Sequence, residues 1–265
     1  MKLRTTLIIP TYNWPEALEL VLLSVKRQTQ VTDEVIIADD GSIEATKRLV
    51  ERFQKDFPTT LRYLWHEDDG FRKGVIVNKA VASATGDYII QIDGDCILHK
   101  RFLEDHISAI EKNTYLYGSR VSLKEFSVSQ LYRKKQIDFS VFSKALTKRG
   151  RSLYIPLLAK RYKRELPMSK KVRGCNLSYW KQDYINVNGY NEDIFGWGRE
   201  DTELVVRMVN NQVFGKRLKF RGIVFHIWHN EFSKDRLTKN HDIQAETINN
   251  QIVWCKNGVD KYLSE

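Results

Sequence analysis

The sequence predicts an α/β fold, a parallel sheet covered by helices, with its functional groups gathered at the carboxyl edge of the strands. Three observations lead there. Short apolar, β-branched runs alternate with stretches of helical period over the first hundred residues, and the connections between them are short. Four of those runs end in polar clusters: Tyr12-Asn13, Asp39-Asp40, the stretch from Glu67 to Arg72, and Asp93 with Asp95. Right-handed crossovers put the ends of parallel strands on one edge, so the four clusters should converge where open α/β sheets bind ligands.

Taken in order, Leu7-Ile8-Ile9 with the threonines before it predicts strand one, stopped by Pro10-Thr11-Tyr12-Asn13. A helix is expected from about Pro15 to Gln28, with Leu18, Val21, Leu22 and Val25 on one face. Glu34 to Ala38 is the second strand, Glu44 to Phe53 the next helix, Leu61 to Trp65 the third strand, and Val75 to Ala84 a third helix. Tyr88 to Ile92 then reads as a buried strand that runs directly into Asp93-Gly94-Asp95. Gly94 lets the backbone turn, and the two carboxylates are hard oxygen donors of the kind that hold Mg²⁺ or Mn²⁺. An ordinary acidic turn has the same composition, because Asp-x-Asp alone is common. Asp39-Asp40 divides similarly: a carboxylate there suits a nucleoside's N–H or hydroxyl groups, while Asp40 or Ser42 could equally cap the following helix. No G-x-G-x-x-G follows strand one and no G-x-x-x-x-G-K-[ST] occurs, which argues against a dinucleotide fold and a P-loop.

The chain has 265 residues, enough for one large domain with an extension. Cys96, Cys175 and Cys255 lie far apart in no ligand or disulfide spacing, which suits a reducing compartment. The N-terminal apolar run is too short for a signal peptide, and no stretch reaches the length of a membrane span. A cytoplasmic address follows as the expectation. The net charge of +10 is unevenly placed. Residues 120–173 carry 16 Lys and Arg against Glu125, Asp138 and Glu165, a balance of +13 that leaves the rest of the chain at −3. With Leu131, Phe139, Phe142, Leu146, Leu153, Ile155 and Leu157 interleaved, this segment predicts a basic helical insertion. It could dock on an anionic membrane at the inner face, or simply cover the core as a solvated helix pair.

Before and after it the pattern extends the sheet, with a helix near Phe102 to Glu111 and a strand near Tyr115 to Tyr117. The C-terminal third adds Asn188-Gly189-Tyr190-Asn191-Glu192-Asp193-Ile194-Phe195-Gly196-Trp197-Gly198-Arg199-Glu200-Asp201. Glycines around Trp197 allow a tight loop with an aromatic face beside carboxylates, the means by which a site grips a sugar ring. Glu200, Asp201 and Glu203 open a helix with Leu204, Val205 and Met208 inward, where acids also favour the positive end of the helix dipole. Ile223 to His229 is strand-like, with His226 and His229 three apart. Strand alternation would put those rings on opposite faces, so one ion can bind both only if the strand ends or turns between them. A last helix is expected at about Asp242 to Val253.

Here the sequence resembles family 2 glycosyltransferases of the GT-A fold. Ile8-Ile9-Pro10-Thr11-Tyr12-Asn13, Asp39-Asp40-Gly41-Ser42, Gly70-Phe71-Arg72 and Asp93-Gly94-Asp95 occur in that family's order. Gly196-Trp197-Gly198-Arg199-Glu200-Asp201 and His226-x-x-His229 look like its galactosyltransferase-type extension. The resemblance implies a mixed, Rossmann-like sheet flanked by helices with a C-terminal helical, acceptor-side extension. It divides the chain into a nucleotide-sugar half at 1–119, the basic insertion at 120–173, an acceptor and catalytic half at 174–240, and a C-terminal helix at 241–265. Carried over by position, it implies that Pro10, Thr11 and Asp39 frame the uridine of a UDP-sugar donor and that Arg72 contacts the nucleotide. Asp93 would lie near ribose and metal, and Asp95, His229 and His226 would ligate Mn²⁺ (or Mg²⁺). Glu200 would hold sugar hydroxyls, Trp197 would stack on donor or acceptor, and Asp201 would be the catalytic base. Related retaining enzymes have Asn where this chain has Asp201, so inversion is the expected course. The implied acceptor is a glycan or lipid-linked glycan, as in surface polysaccharide synthesis, and no nucleic acid. A sugar-nucleotide pyrophosphorylase would want a Gly-rich basic loop after strand one, which Pro10 to Trp14 is not. A non-catalytic lipid- or RNA-binding module would leave the acidic motifs without a use.

Overall fold

The computed structural model describes residues 3–230 and 233–263. The N-terminal half alternates as β1 (Thr5–Thr11), α1 (Pro15–Lys26), β2 (Glu34–Asp39), α2 (Glu44–Gln54), β3 (Thr60–Trp65), α3 (Lys73–Ser83) and β4 (Tyr88–Ile92). Then follow β5 (Cys96–Leu98), α4 (Phe102–Ile107), β6 (Thr114–Tyr117), β7 (Ser119–Ser122), α5 (Val128–Lys134), α6 (Pro156–Ala159) and β8 (Arg164–Glu165). The remainder holds β9 (Asn176–Trp180), α7 (Lys181–Ile185), α8 (Glu200–Asn210), β10 (Phe214–Arg217), β11 (Ile223–His226) and α9 (Leu237–Asn249). Eight of these strands form one sheet in the order β3-β2-β1-β4-β9-β6-β10-β8, and β5-β11-β7 form a second, small one.

Strands β3, β2, β1 and β4 are mutually parallel, as the alternation predicts. Both faces of this half are covered, so its strands are apolar at nearly every position. Alternation divides each strand between two layers. Leu7, Ile9, Val35, Ile37 and Ile90 pack with Leu18, Val21 and Val50 from α1 and α2. Ile8, Ile36, Ala38 and Ile89 pack with Ile76, Val77 and Ala80 of α3 and with Leu204, Val205 and Met208 of α8.

The later sheet differs from a simple parallel extension. Strand β9 inserts between β4 and β6 and runs antiparallel to both. Its residues, Asn176-Leu177-Ser178-Tyr179-Trp180, are too polar to stand out as a central strand, yet Ser178 is buried because its hydroxyl meets Tyr88 and His106. The C-terminal helix begins at Leu237, five residues before the expected Asp242. The helical insertion expected at 120–173 is mostly irregular, with seven helical residues in α5 and four in α6. Clustered β-branched and aromatic residues, Gly150 and the prolines at 156 and 167 give it no sustained 3.6-residue period. A Leu123–Leu146 bridge closes it on itself, and the pairs Arg27–Asp138 and Lys135–Glu19 tie it to the end of α1 and to α1. No described helix is long and apolar enough to cross a membrane.

Candidate active site

Because β1, β2 and β4 are parallel, their carboxyl ends share one edge, and the Asp93-Gly94-Asp95 turn sits there against the end of β1. Gly94 N–H donates to the Pro10 carbonyl at 2.9 Å. A Cβ at Gly94 would come within 2.9 Å of that oxygen and 3.0 Å of Thr11 Oγ1, so the close approach needs glycine. Pro10 and Thr11 thus form the floor beneath the acidic turn.

Both histidines reach Asp95 through the small sheet. In the β5–β11 pairing His226 stands opposite Cys96, and Ile227 N–H donates to the Asp95 carbonyl at 2.9 Å. The strand ends at His226, and the chain then curls so that His229 returns to the same side. His226 Nε2 lies 3.3 Å and His229 Nε2 3.4 Å from Asp95 Oδ2, and one donor atom from each of the three lies within 4.8 Å of the others. His229 Nδ1 donates to the Asn230 carbonyl at 2.6 Å, which turns Nε2 toward Asp95. A neutral ring so turned presents the Nε2 lone pair beside the Asp95 carboxylate, as a metal ligand must. The set therefore fits a divalent ion, and two imidazoles suit Mn²⁺ better than Mg²⁺. Burial works against ionised Asp95, but the hydrogen bond and charge of His226 outweigh it and hold the carboxyl below its usual range.

On the opposite wall α8 presents Glu200 and Asp201 from its first turn. Asp201 Oδ2 accepts from Gly174 N–H and Oδ1 from Tyr190 O–H, each at 2.8 Å. Glu200 is buried, and burial together with the neighbouring Asp201 charge pushes its carboxyl up to about 7. Between the walls lies Lys73, which the sequence had not singled out. Its ammonium is 3.0 Å from Asp93 Oδ1, 3.6 Å from Asp201 Oδ1 and 3.7 Å from Glu200 Oε1. Burial alone would discharge it, but the three carboxylates, Asp201 foremost, hold its pKa well above the ordinary lysine value. Burial in turn pushes Asp93 up, against the pull of Lys73.

Trp197 stands at the rim, 40% exposed. Gly196 and Gly198 flank it with φ of +73° and +101°, a left-handed turn that glycine adopts freely. The loop is tied on both sides: Gly196 N–H donates to the Phe71 carbonyl, and Asn240 of α9 donates to the carbonyls of Phe195 and Gly198. The Arg72 and Arg236 guanidinium groups lie 4.5 and 3.7 Å from the centre of the Phe195 ring. Arg72 also pairs with Asp69 at 2.9 Å and lines a cavity of about 370 Å³ with His66, Glu67, Lys79 and Glu192.

Asp39 closes β2 at the same carboxyl edge. Its carboxylate is fully buried and accepts from Ser42 N–H at 2.8 Å and Tyr63 O–H at 2.7 Å, so it braces the turn after β2. Asp40 is likewise enclosed, between the His66 ring and Arg72 N–H. Neither caps α2, whose first residues carry no side-chain cap. Glu203 also turns inward, into a buried pair with Arg207 at 2.7 Å. Motif reading passed over Lys73 and Gly174, and quoted Tyr190 within the Asn188–Asp201 stretch without giving it a role. The adjacency of Lys73 to Gly70-Phe71-Arg72, and of Tyr190 to the acidic motif that ends in Asp201, were the signals available.

A sheet of this order, an acidic turn at its carboxyl edge and a second acidic wall from a C-terminal helix define the class: a GT-A glycosyltransferase fold. The chain belongs to glycosyl transferase family 2, whose profile it matches over residues 6–163, and residues 157–230 match the N-terminal domain of galactosyltransferase. It is 36% identical over 115 residues to the uncharacterized glycosyltransferase YfnE of Bacillus subtilis, covering 43% of this chain and 29% of that protein. It is 22% identical over 243 residues to the chondroitin synthase of Pasteurella multocida, covering 84% of this chain and 23% of that one. The chain thus spans less than a third of either relative. Among solved structures, S. aureus TarS 1–349 superposes with a TM-score of 0.65 at 18% identity, over 98% of this chain and 69% of that one. TarS 1–349 in complex with UDP gives 0.61 at 18% identity, over 92% and 64%. The mannosyltransferase PcManGT of Pyrobaculum calidifontis, in complex with GDP-Man and Mn²⁺, gives 0.57 at 16%, over 85% and 57%.

Proposed function

We propose that this chain is a metal-dependent, inverting glycosyltransferase. It would move a hexose or N-acetylhexosamine from a UDP-sugar, UDP-galactose or UDP-N-acetylgalactosamine first, to a hydroxyl of a glycan in surface polysaccharide synthesis. The observation that carries this reading is the pairing of two walls across Lys73: a metal-fitting Asp95/His226/His229 set on one, and Asp201 held in place on the other. A divalent ion held by Asp95, His226 and His229 would neutralise the charge that develops on the departing diphosphate. Asp201, its two oxygens fixed by Gly174 and Tyr190, would take the proton of the acceptor hydroxyl as that oxygen attacks. One base suffices for a single displacement, which inverts the anomeric carbon. Glu200 would accept or donate to sugar hydroxyls, Trp197 would stack on a sugar face at the rim, and Arg72 and Asp93 would orient the nucleotide.

The test is UDP release from a panel of UDP-sugars with and without Mn²⁺, followed by Asp201→Asn on the donor that works. The variant keeps the size of the side chain, with its amide oxygen able to accept from Gly174 N–H and its NH₂ facing the Tyr190 oxygen, but it cannot take the proton, so turnover should fall by ~10²–10⁴-fold with UDP–Mn²⁺ affinity unchanged. Transfer at the wild-type rate would refute the base.

A further inference from the structure

We infer that Gln91 is a positioning residue, whose buried amide braces both groups that hold Asp201, the Tyr190 hydroxyl and the Gly174 backbone. The inference rests on the proposed role of Asp201. Gln91 lies in β4 among Tyr88, Ile89, Ile90 and Ile92, and it is fully buried. A buried amide destabilises such a core unless its hydrogen bonds are remade, so its partners say what it does there. In the antiparallel pairing with β9, Ile89 stands opposite Tyr179 and Gln91 opposite Leu177. That puts the amide on the sheet face covered by α3 and α8. There Tyr179 O–H donates to Gln91 Oε1 at 3.1 Å. Nε2 donates to the Tyr190 oxygen at 2.9 Å and, more weakly, to the Gly174 carbonyl at 3.4 Å.

The Gly174 carbonyl can only accept, so it fixes which end of the amide is the NH₂; turned over, Oε1 would face that oxygen. Nε2 then fills the acceptor side of the Tyr190 hydroxyl. The single phenol proton has two acceptors in reach, Asp201 Oδ1 at 2.8 Å and Gln91 Oε1 at 3.3 Å, and Oε1 already accepts from Tyr179. The proton therefore goes to Asp201. A hydroxyl that accepts one hydrogen bond donates a stronger one, so the chain from Tyr179 through Gln91 and Tyr190 to Asp201 runs in one direction. Gly174 closes it, because its carbonyl meets Gln91 while its N–H donates to Asp201 Oδ2. The Tyr190 backbone is held separately, by Asn78, whose Oδ1 accepts from Tyr190 N–H and whose Nδ2 donates to the Tyr190 carbonyl. Gln91 thus directs the hydroxyl without seating the ring.

Gln91→Met keeps the length of the side chain and removes both polar ends. In the UDP-release assay its kcat should fall by about 10-fold, the upper range for one neutral hydrogen bond. UDP–Mn²⁺ affinity by calorimetry should stay near wild type, because none of the amide's bonds reaches Asp95, His226 or His229. Tyr190→Phe should also lower kcat, and adding Gln91→Met to it should cost no more than about 2-fold further, since the amide acts through that hydroxyl. A glutamine that only fills the core predicts otherwise. Loss of kcat and affinity together, an equal loss with and without the Tyr190 hydroxyl, or an unchanged kcat in a folded Gln91→Met would each overturn the inference. If Gln91→Met does not fold, Tyr179→Phe takes its place by removing the hydroxyl that holds Oε1. It should lower kcat in the wild-type chain but not in Tyr190→Phe, and an equal loss in both would overturn the inference as well. Wild-type transfer by Asp201→Asn would overturn the base and this inference with it, a failure distinct from lost coupling in a chain that Asp201→Asn inactivates.

Discussion

Gly174→Ala tests the acceptor wall without touching an ionisable group. Gly174 does not use the left-handed backbone region, so alanine fits its φ; the conflict is purely one of space. A methyl built there comes within 2.5 Å of Asp201 Oδ2 and closer still to Oδ1, and the Gly174 N–H bond to Oδ2, 2.8 Å long, must break as the carboxylate is pushed aside. Loss of one hydrogen bond to a charged group costs ~1.5–3 kcal/mol. For a chain of this size that corresponds to a fall in Tm of roughly 3–10 °C. A displaced base should lose most of its effect, so kcat should drop by ~10²-fold or more. The donor wall lies on other elements and is untouched, so UDP–Mn²⁺ affinity measured by calorimetry should stay within about 2-fold, well inside the 10–100-fold that altered metal-site support produces. Turnover near wild type would show that the observed Asp201 geometry is not what the reaction uses. Donor affinity falling in step with kcat would show that the two walls are not independent.

Three further outcomes are expected. His229→Ala should raise the Mn²⁺ concentration for half-maximal UDP release by ~10-fold or more, with His226→Ala acting in the same direction, and unchanged metal activation would remove the histidines from the site. Glu200, lifted to about 7 from its ordinary value near 4.5, contributes stability that is complete below about pH 4.5 and is lost as pH rises through about 7. Glu200→Gln fixes the neutral form, so melting curves should show it gaining on wild type above pH 7 and matching it near pH 5; a gain equal at both would contradict the burial argument. The basic insertion exposes Phe126, Phe142 and Leu157 among its lysines and arginines. Neutralising Arg133, Lys134, Lys148 and Arg149, while sparing Lys135 in its pair with Glu19, should weaken binding to phosphatidylserine vesicles by about 1 kcal/mol per residue. Salt-independent, unchanged vesicle binding would return the segment to a solvated surface.

The placement of the candidate residues was legible from sequence where they ride on a strand end. Asp95 and Pro10 were legible because apolar runs mark strands, and parallel strands put their ends together. The histidine pair was half legible. Spacing alone put His226 and His229 on opposite faces, and only the end of β11 at His226 brings both rings to Asp95. Asp39 was legible as the end of β2, whereas its bonds to Tyr63 and to Ser42 N–H come only from packing.

By itself, then, the sequence determined the parallel half of the sheet, the acidic turn and the uneven charge, because each rests on local period or composition. Tertiary structure alone decided that β9 enters antiparallel at the centre, since its polar residues are satisfied only by partners such as Tyr88 and His106 far along the chain. It also decided the company of Asp201. Tyr190 shares the motif of Asp201, but Lys73 and Gly174 come from two other stretches, and no spacing rule links them to it. Their meeting depends on how α3, α8 and the loop before β9 pack over one face of the sheet, where buried charge must find its counter-charge in space rather than in sequence.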